Sequence, residues 1–260
     1  TTPPPLPLAA RLLPRPLSKW LPTNDGLHRV EVAQDDELLR TALELARDAV
    51  ALCLIGSLRL HAAPLWCPRA IAAAAYGYSS VWAVYLNLKL ATSSNGLGLL
   101  LLGYRPQVAF RSPLTSSTSP TDFWSRRWNM IVRGLFHRTV FTPLRNRGVP
   151  PQYAALGAFV ISGLFHEYAF LPCTGLPTLG CELAFFLVQA VVCTIELALK
   201  GTRASRALKE RCPGWLKVVG TSCLLVPWSP LFMAPLTHGP NGGTLDAMLA
   251  NIVRVRVLCY

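Results

Sequence analysis

The sequence predicts an all-α protein, a polytopic transmembrane helix bundle of about five spans. Hydrophobic residues make up 52% of its 260 residues and charged residues only 15%, whereas soluble domains carry roughly 25% charged residues. The mean hydropathy is +0.36. Too little polar surface remains to cover a water-soluble body, and so apolar a composition excludes a disordered chain.

Four intervals come close to the apolar length of a transmembrane helix, about 20 residues. They lie at 70–88, 148–171, 183–199 and from 218 onward. Prolines interrupt the fourth, so we expect a helix over 216–226 followed by a kinked passage. An earlier segment, 41–60, is helical by pattern but charged; it is either a fifth span packed inside the bundle or an interfacial helix.

The net charge of +12 arises from 25 basic and 13 acidic residues. If all five spans cross, most basic residues fall on one side, which matches the positive-inside rule. The basic residues lie between apolar spans and form no recognised nucleic-acid module. We therefore expect membrane lipids as partners and no nucleic acid.

The chain divides by composition into a proline-rich peripheral arm, residues 1–36, and a membrane domain, residues 37–260. The arm has no apolar h-region, so an intact signal peptide is not expected. The first residue is not Met, which indicates processing or a piece of a longer chain. Residues 112–121 read as a Ser/Thr/Pro-rich loop. The eight cysteines form no C-x-x-C pair, so buried thiols are expected rather than a metal site.

An amphipathic helix is predicted to begin at Ser119, which supplies the N-cap hydroxyl. Pro120 takes the first helical position and Asp122 the third, both favourable for a helix start. An apolar stripe then recurs at helical spacing through Trp124, Trp128, Ile131 and Leu135.

The polar residues of this helix leave two readings open. Arg126, Arg127 and Arg133 suit a helix at the membrane surface, with the tryptophans in the interfacial belt and the arginines on lipid phosphates. Asn129 favours a functional site, because its amide lies beside the apolar stripe and must find hydrogen-bond partners there.

A second polar cluster lies inside the span at 148–171. His166 and Glu167 are placed at membrane depth, where ionisable residues usually mark a functional interior. Ser162 precedes His166 by four residues and shares its helix face, and Gly163 permits close helix approach. A neutral histidine there can act as a general base; the alternative is a structural His–Glu pair.

Together these motifs resemble the wax synthase domain of the membrane-bound O-acyltransferase (MBOAT) superfamily. The resemblance rests on FWSRRWN at 123–129 and SGLFHE at 162–167 and covers about residues 105–200. It implies an MBOAT-like bundle with an interfacial or re-entrant helix. It also implies an acyl-CoA-dependent O-acyltransferase that esterifies a lipid hydroxyl, classically a long-chain alcohol to give a wax ester.

The resemblance also assigns residues. His166 matches the family's essential intramembrane histidine and Asn129 the polar residue that ends the tryptophan motif, so both are expected to be catalytic. Acyl-CoA is then a co-substrate, and no cofactor is expected. The expected substrate-binding residues are Trp124, Arg126, Arg127, Trp128, Ser162 and Glu167.

The two expected catalytic residues can meet only if the segment that carries Asn129 enters the membrane. An upright span would place His166 far below a surface helix, so residues 122–136 should be re-entrant. The depth of His166 follows from the rise of 1.5 Å per helical residue along its span. With a re-entrant segment, the side chains of Asn129 and His166 should lie within about 10 Å of each other.

Family members usually carry more spans. The chain is therefore also compatible with a non-catalytic, lipid-binding structural subunit of a larger membrane complex, with protein partners. The expected membrane is the endoplasmic reticulum, with a plastid or mitochondrial membrane as the alternative.

Overall fold

A computed structural model describes residues 35–61, 69–102, 104, 106–174, 178–203 and 210–238. All the regular elements in these ranges are helical. Most of the predicted N-terminal arm and the last 22 residues lie outside the described ranges. The main helices are α1 (Asp35–His61), α2 (Arg69–Leu101), α3 (Pro113–Ser116), α4 (Pro120–Asp122), α5 (Met130–Phe136), α6 (Thr142–Asn146), α7 (Pro151–Thr174), α8 (Cys181–Leu199), α9 (Gly214–Leu225) and α10 (Ser229–His238).

Helices α1 and α2 pack against each other. Between them the Lys89 Nζ atom lies 2.6 Å from Oδ2 of the buried Asp48. Helix α2 continues past the predicted span at 70–88, and the charge of Lys89, the first residue beyond that span, is paired with Asp48 inside the protein. Leu52 of α1 and Ala83 and Leu86 of α2 belong to the hydrophobic core.

Three described helical stretches are long and apolar enough to cross a membrane, namely Pro151–Leu171, Cys181–Leu199 and Gly214–Ala234. They confirm three of the predicted apolar intervals. Helices α1 and α2 are long enough but fall short of this apolar composition, so a count of five spans is not confirmed.

Prolines shape the end of the third stretch, as predicted. Helix α9 ends at Leu225 and is followed by a 3₁₀ turn, Val226–Trp228, before α10 begins. Pro227 lies inside this turn and cannot donate a helical hydrogen bond. Helix α10 packs against α2, α7 and α8, which brings the kinked segment into the centre of the bundle.

The predicted loop at 112–121 contains the short helix α3, with Pro113 and Leu114 buried. This part of the prediction was wrong, because the Ser/Thr/Pro composition did not reveal that two apolar side chains join the core. The core continues from there through Phe110 and Phe123.

Candidate active site

A cavity of about 370 Å³ lies where α2, the segment 113–141, and helices α7 to α10 converge. This volume is within the usual range of small-molecule sites. The walls are mainly apolar and aromatic, with a few polar groups. Among the described residues, α1 contributes nothing to these walls.

The tryptophan motif does not form the single helix predicted over 124–135. The helix that begins at Ser119 widens into a π-helical turn, Phe123–Arg127, and then ends. Trp128 is extended and Asn129 adopts the left-handed conformation, with φ of 36°. A new helix, α5, begins after it.

Tertiary hydrogen bonds explain this break. The Met130 N–H donates to the carbonyl of Ala109 at 2.7 Å, and the Arg111 N–H donates to the carbonyl of Arg127 at 3.0 Å. The broken segment is therefore held by the neighbouring chain at 109–111, and its exposed backbone groups are satisfied.

The N-terminal half of the motif behaves as predicted. The Ser119 hydroxyl accepts from the Asp122 N–H at 3.1 Å, and Pro120 occupies the first turn. Glu196 of α8 adds a second cap by accepting from the Thr121 N–H at 2.7 Å. This end of the motif is thus attached to a candidate span.

Asn129 caps the second half of the motif. Its Oδ1 atom accepts from the Val132 N–H at 3.3 Å, which leaves the two N–H groups of its amide as donors. Asparagine tolerates the left-handed conformation better than most residues. Asn129 lines the cavity, so the same residue starts a helix and presents an amide to the site.

The two tryptophans form part of the cavity wall. Trp128 stacks on Phe123 with ring centroids 5.2 Å apart. The Trp124 indole N–H donates to Oε1 of Gln189 at 3.3 Å, and its ring contacts Phe186. Gln189 is fully buried on α8, and no motif in the sequence indicates its position at the site.

The predicted arginines are placed differently. Arg127 Nε lies 2.7 Å from Asp122 Oδ2, and Arg126 is exposed. Neither lines the cavity, whereas Arg133 and His137 do. These two follow Asn129 at four-residue intervals, and this spacing was the available signal.

The environment of His137 is basic. Burial lowers the pKa of His137 below its ordinary value, and the guanidinium groups of Arg133 and Arg138 lower this pKa further. The neutral imidazole is therefore favoured at this edge of the cavity, and Arg133 supplies the positive charge there.

His166 lies on the opposite wall, on α7. Its Nδ1 atom lies 2.7 Å from the backbone carbonyl oxygen of Ser162. A carbonyl only accepts, so Nδ1 carries the proton in the neutral ring and Nε2 is left as an acceptor. The imidazole is surrounded by aromatic rings, with centroids at 4.7 Å for Phe186 and 5.6 Å for Phe232.

Ser162 and Glu167 have different places in the structure. Ser162 is buried and lines the cavity beside His166. The Oε1 atom of Glu167 accepts from the Leu183 N–H at 3.0 Å, at the start of α8, and Glu167 does not line the cavity. Glu167 therefore ties α7 to α8 and is absent from the site predicted for it.

The cavity brings together side chains of the tryptophan motif and its continuation with side chains of α7. They include Trp124, Trp128, Asn129, Arg133, Ser162 and His166. No group of three or more His, Cys, Asp or Glu side chains in the described ranges is arranged to hold a metal ion.

The region of the chain that matches a known protein family includes both cavity-lining motifs. Residues 106–188 match the membrane bound O-acyl transferase family. The matched region includes both motifs on which the resemblance to this family rests.

Several plant proteins are similar to the chain. "Probable long-chain-alcohol O-fatty-acyltransferase 7" of Arabidopsis thaliana is 37% identical over 168 residues, 61% of this chain and 49% of the relative. "Acyl-CoA--sterol O-acyltransferase 1" of the same plant is 34% identical over 128 residues, 46% of this chain and 36% of the relative. "Long-chain-alcohol O-fatty-acyltransferase" of Simmondsia chinensis is 28% identical over 171 residues, 62% of this chain and 48% of the relative. The chain thus spans half or less of each relative's length.

Proposed function

We propose that the protein is an acyl-CoA-dependent O-acyltransferase that esterifies a lipid hydroxyl, with long-chain alcohols as the expected acceptors. One observation carries the proposal: Asn129 and His166, from two separate motifs, line one apolar cavity. The names of the similar proteins, which include alcohol and sterol acyltransferases, support the reaction class.

The two residues fit the two ends of an acyl transfer. Nε2 of His166 takes the proton of the acceptor hydroxyl as its oxygen attacks the thioester carbonyl carbon. The free amide N–H groups of Asn129 stabilise the negative charge that develops on the carbonyl oxygen. The carbon–sulfur bond then breaks, and the coenzyme A thiolate leaves and takes the proton from His166.

The surroundings of the cavity suit both substrates. Apolar walls accept the lipid chains and keep water away from the thioester, which limits its hydrolysis. Arg133 supplies a guanidinium group at the wall, a geometry suited to a phosphate of coenzyme A. No covalent enzyme intermediate is needed, because both substrates meet in one space.

The proposal is tested with membranes that contain the protein, incubated with labelled acyl-CoA and a panel of acceptors. The panel contains long-chain alcohols, sterols and diacylglycerol. Ester formation above that of membranes without the protein supports the proposal. Verified, folded protein that forms no ester with any acceptor contradicts it.

A non-catalytic, lipid-binding subunit of a larger assembly is the second candidate, and a specific surface favours it. Helix α1 exposes a row of large apolar side chains on one face, over a span of about 100°. They are Leu39, Leu43, Val50, Leu54 and Leu58, each at least 60% exposed. A protein partner or lipid can cover this face.

Purification in mild detergent separates the two functions. A fixed set of co-purifying proteins, together with no ester formation, supports the subunit. Ester formation by the protein alone supports the enzyme.

A further inference from the structure

An open groove of about 550 Å³ lies beside the proposed active site and shares no lining residue with its cavity. One side of the groove is a second π-helical turn, His137–Phe141, together with α6. The other side is the first half of α7. Tyr153 and Ile161, which line the groove, are 59% and 41% exposed, so the groove is open to the surroundings of the protein.

The groove has a charged end and an apolar end. Arg147, just before α7 begins, is exposed and is the only charged side chain among the described residues that line it. Tyr153 follows in the first turn of α7, and the groove then continues along the candidate span past Leu156, Val160 and Ile161. From Tyr153 to Ile161 the helix rises about 12 Å, at 1.5 Å per residue. A cation and a tyrosine at the membrane surface, with an apolar channel below them, match the polarity of a phospholipid.

The charge of Arg147 is not neutralised by any carboxylate in the described ranges, because the ion pairs there use other basic side chains. Its neighbour Arg145 differs, since Nη1 of Arg145 donates to the carbonyl of Val149 at 2.6 Å. The positive-inside rule places the arginine-rich segment 103–147 on the cytoplasmic side. Anionic lipids are concentrated in that leaflet, where basic pockets between helices bind their headgroups. The charge of the groove is therefore complementary to an anionic lipid.

The groove and the cavity are formed by opposite faces of the same two elements. In the π-helical turn, His137 lines the cavity and Val140 lines the groove. In α7, Phe159 lines the cavity and Val160 lines the groove. A ligand in the groove thus packs against the outer side of the wall that surrounds the proposed active site.

We propose that this groove binds an anionic phospholipid, with the lipid phosphate at Arg147 and one acyl chain along Leu156, Val160 and Ile161. Charge and chain are both required, because the groove offers one cation above a mainly apolar lining. The bound lipid covers apolar side chains of α7 and adds packing to the turn that carries His137. The site does not depend on the proposed reaction, so the two proposals are tested separately.

The first test concerns the charge. The full chain, purified in mild detergent, is titrated with phosphatidylserine or phosphatidylcholine, and binding is measured from the rise in unfolding temperature. We expect phosphatidylserine to stabilise the wild-type protein more strongly. Arg147→Gln should weaken phosphatidylserine binding about five-fold, the usual contribution of one basic residue near an anionic lipid surface. Arg211→Gln is the matched control, because Arg211 is also exposed but does not line the groove; its binding should equal that of the wild type.

The second test concerns the acyl chain. Val160→Phe places a ring in the groove and should weaken phosphatidylserine binding about ten-fold, the contribution of roughly two buried methylene groups. Leu164→Phe, one turn further along α7, places a ring at an exposed position outside the groove and should bind as the wild type does. Glycerophosphoserine, which has the headgroup without the chains, should not raise the unfolding temperature at the concentrations at which phosphatidylserine does.

Three results overturn the proposal. Equal stabilisation by the two lipids, or equal losses in Arg147→Gln and Arg211→Gln, would show only a general attraction between a basic protein and lipid. Stabilisation by glycerophosphoserine, or unchanged lipid binding in Val160→Phe, would show that no chain lies in the groove. A homodimer or a complex with another protein that forms without phospholipid and is disrupted by Val160→Phe, measured as the mass in the same detergent, would assign the groove to a protein. None of these results bears on ester formation.

Discussion

The Nδ1 atom of His166 lies 2.7 Å from the carbonyl oxygen of Ser162, one turn earlier in the same helix. This bond fixes the ring and its tautomer without any second side chain. Nε2 is thereby the nitrogen available to a substrate, and it belongs to a residue on the cavity wall. In many sites a carboxylate orients the histidine ring; for His166 the helix backbone performs this role.

Substitution of His166 tests its proposed role as the base. We expect His166→Ala to lower the ester-forming rate about 10²- to 10⁴-fold, the usual contribution of general-base catalysis. The variant should still fold, because the ring's hydrogen bond in the described residues is within its own helix; the lost contacts with Phe186 and Phe232 lower its stability, so the rate is compared per folded molecule. Parallel losses of folded protein and of activity would instead assign His166 a structural role.

Asn129 caps a helix and, in the proposed mechanism, also donates to the thioester oxygen; one substitution separates these two roles. Asn129→Asp keeps an oxygen to accept from the Val132 N–H and tolerates the left-handed backbone, but it removes the amide donors. We expect normal stability with turnover reduced about 10²- to 10³-fold, as for loss of an oxyanion donor. Asn129→Ala loses the cap as well and should lower the free energy of unfolding by about 0.5–2 kcal/mol. Unchanged turnover in the Asp variant removes Asn129 from the mechanism.

Much of the fold follows from local patterns. The Ser119 cap, the helix over 151–174 and the proline-induced break after Leu225 are each specified by residues adjacent in sequence. Helix caps and proline restrictions act within one turn, so the sequence contains the information needed to place them.

The features that the sequence missed depend on distant partners. The break at Asn129 is held by residues 109–111, and the partner of Glu167 is Leu183 on the next helix. Asn129 and His166 were identified by resemblance, but no local pattern could predict that the Ser229 hydroxyl would be buried without a hydrogen-bond partner among the described residues. Its condition depends on a 3₁₀ turn and on the packing of α10 against α7 and α2.

Substitution of Glu167 tests which residues belong to the proposed active site, because Glu167 directly follows His166 in sequence yet does not line the cavity. Glu167→Gln retains an oxygen for the Leu183 N–H, so stability and activity should stay near those of the wild type. Glu167→Ala removes the hydrogen bond to that half-buried N–H and should lower the free energy of unfolding by about 0.5–1.5 kcal/mol. Activity per folded molecule should persist in both variants. A large loss of activity in a stable Gln variant would return Glu167 to the active site.

His137 should make stability depend on pH. Its pKa is lower in the folded protein, through burial and then Arg133 and Arg138, so the unfolded chain binds its proton more readily. The stability that depends on a neutral His137 is fully present above its ordinary pKa of about 6.5. This stability is lost as the pH falls through the lower pKa that His137 has in the folded protein. We expect the unfolding temperature to drop between pH 7 and pH 5, with a smaller drop in His137→Gln. Equal drops in both proteins contradict this role.

Two glycines of α7 allow a matched test of how closely α7 and α8 approach. A Cβ atom at Gly163 would lie 2.9 Å from Cα of Leu183, which is backbone and cannot move without shifting α8. A Cβ atom at Gly157 would lie at the same 2.9 Å from Cδ1 of Leu144 and 3.7 Å from Cγ1 of Val140. Both are side-chain atoms, and the Leu144 side chain can rotate away. Gly163→Ala should therefore cost about 1–3 kcal/mol of stability through overpacking. Gly157→Ala should be near neutral, because the gain in helix propensity, about 1 kcal/mol, offsets a small rearrangement. The unfolding temperatures of both variants are measured in the same detergent. Equal decreases in the two variants would mean that α7 and α8 are not in close backbone contact at Gly163.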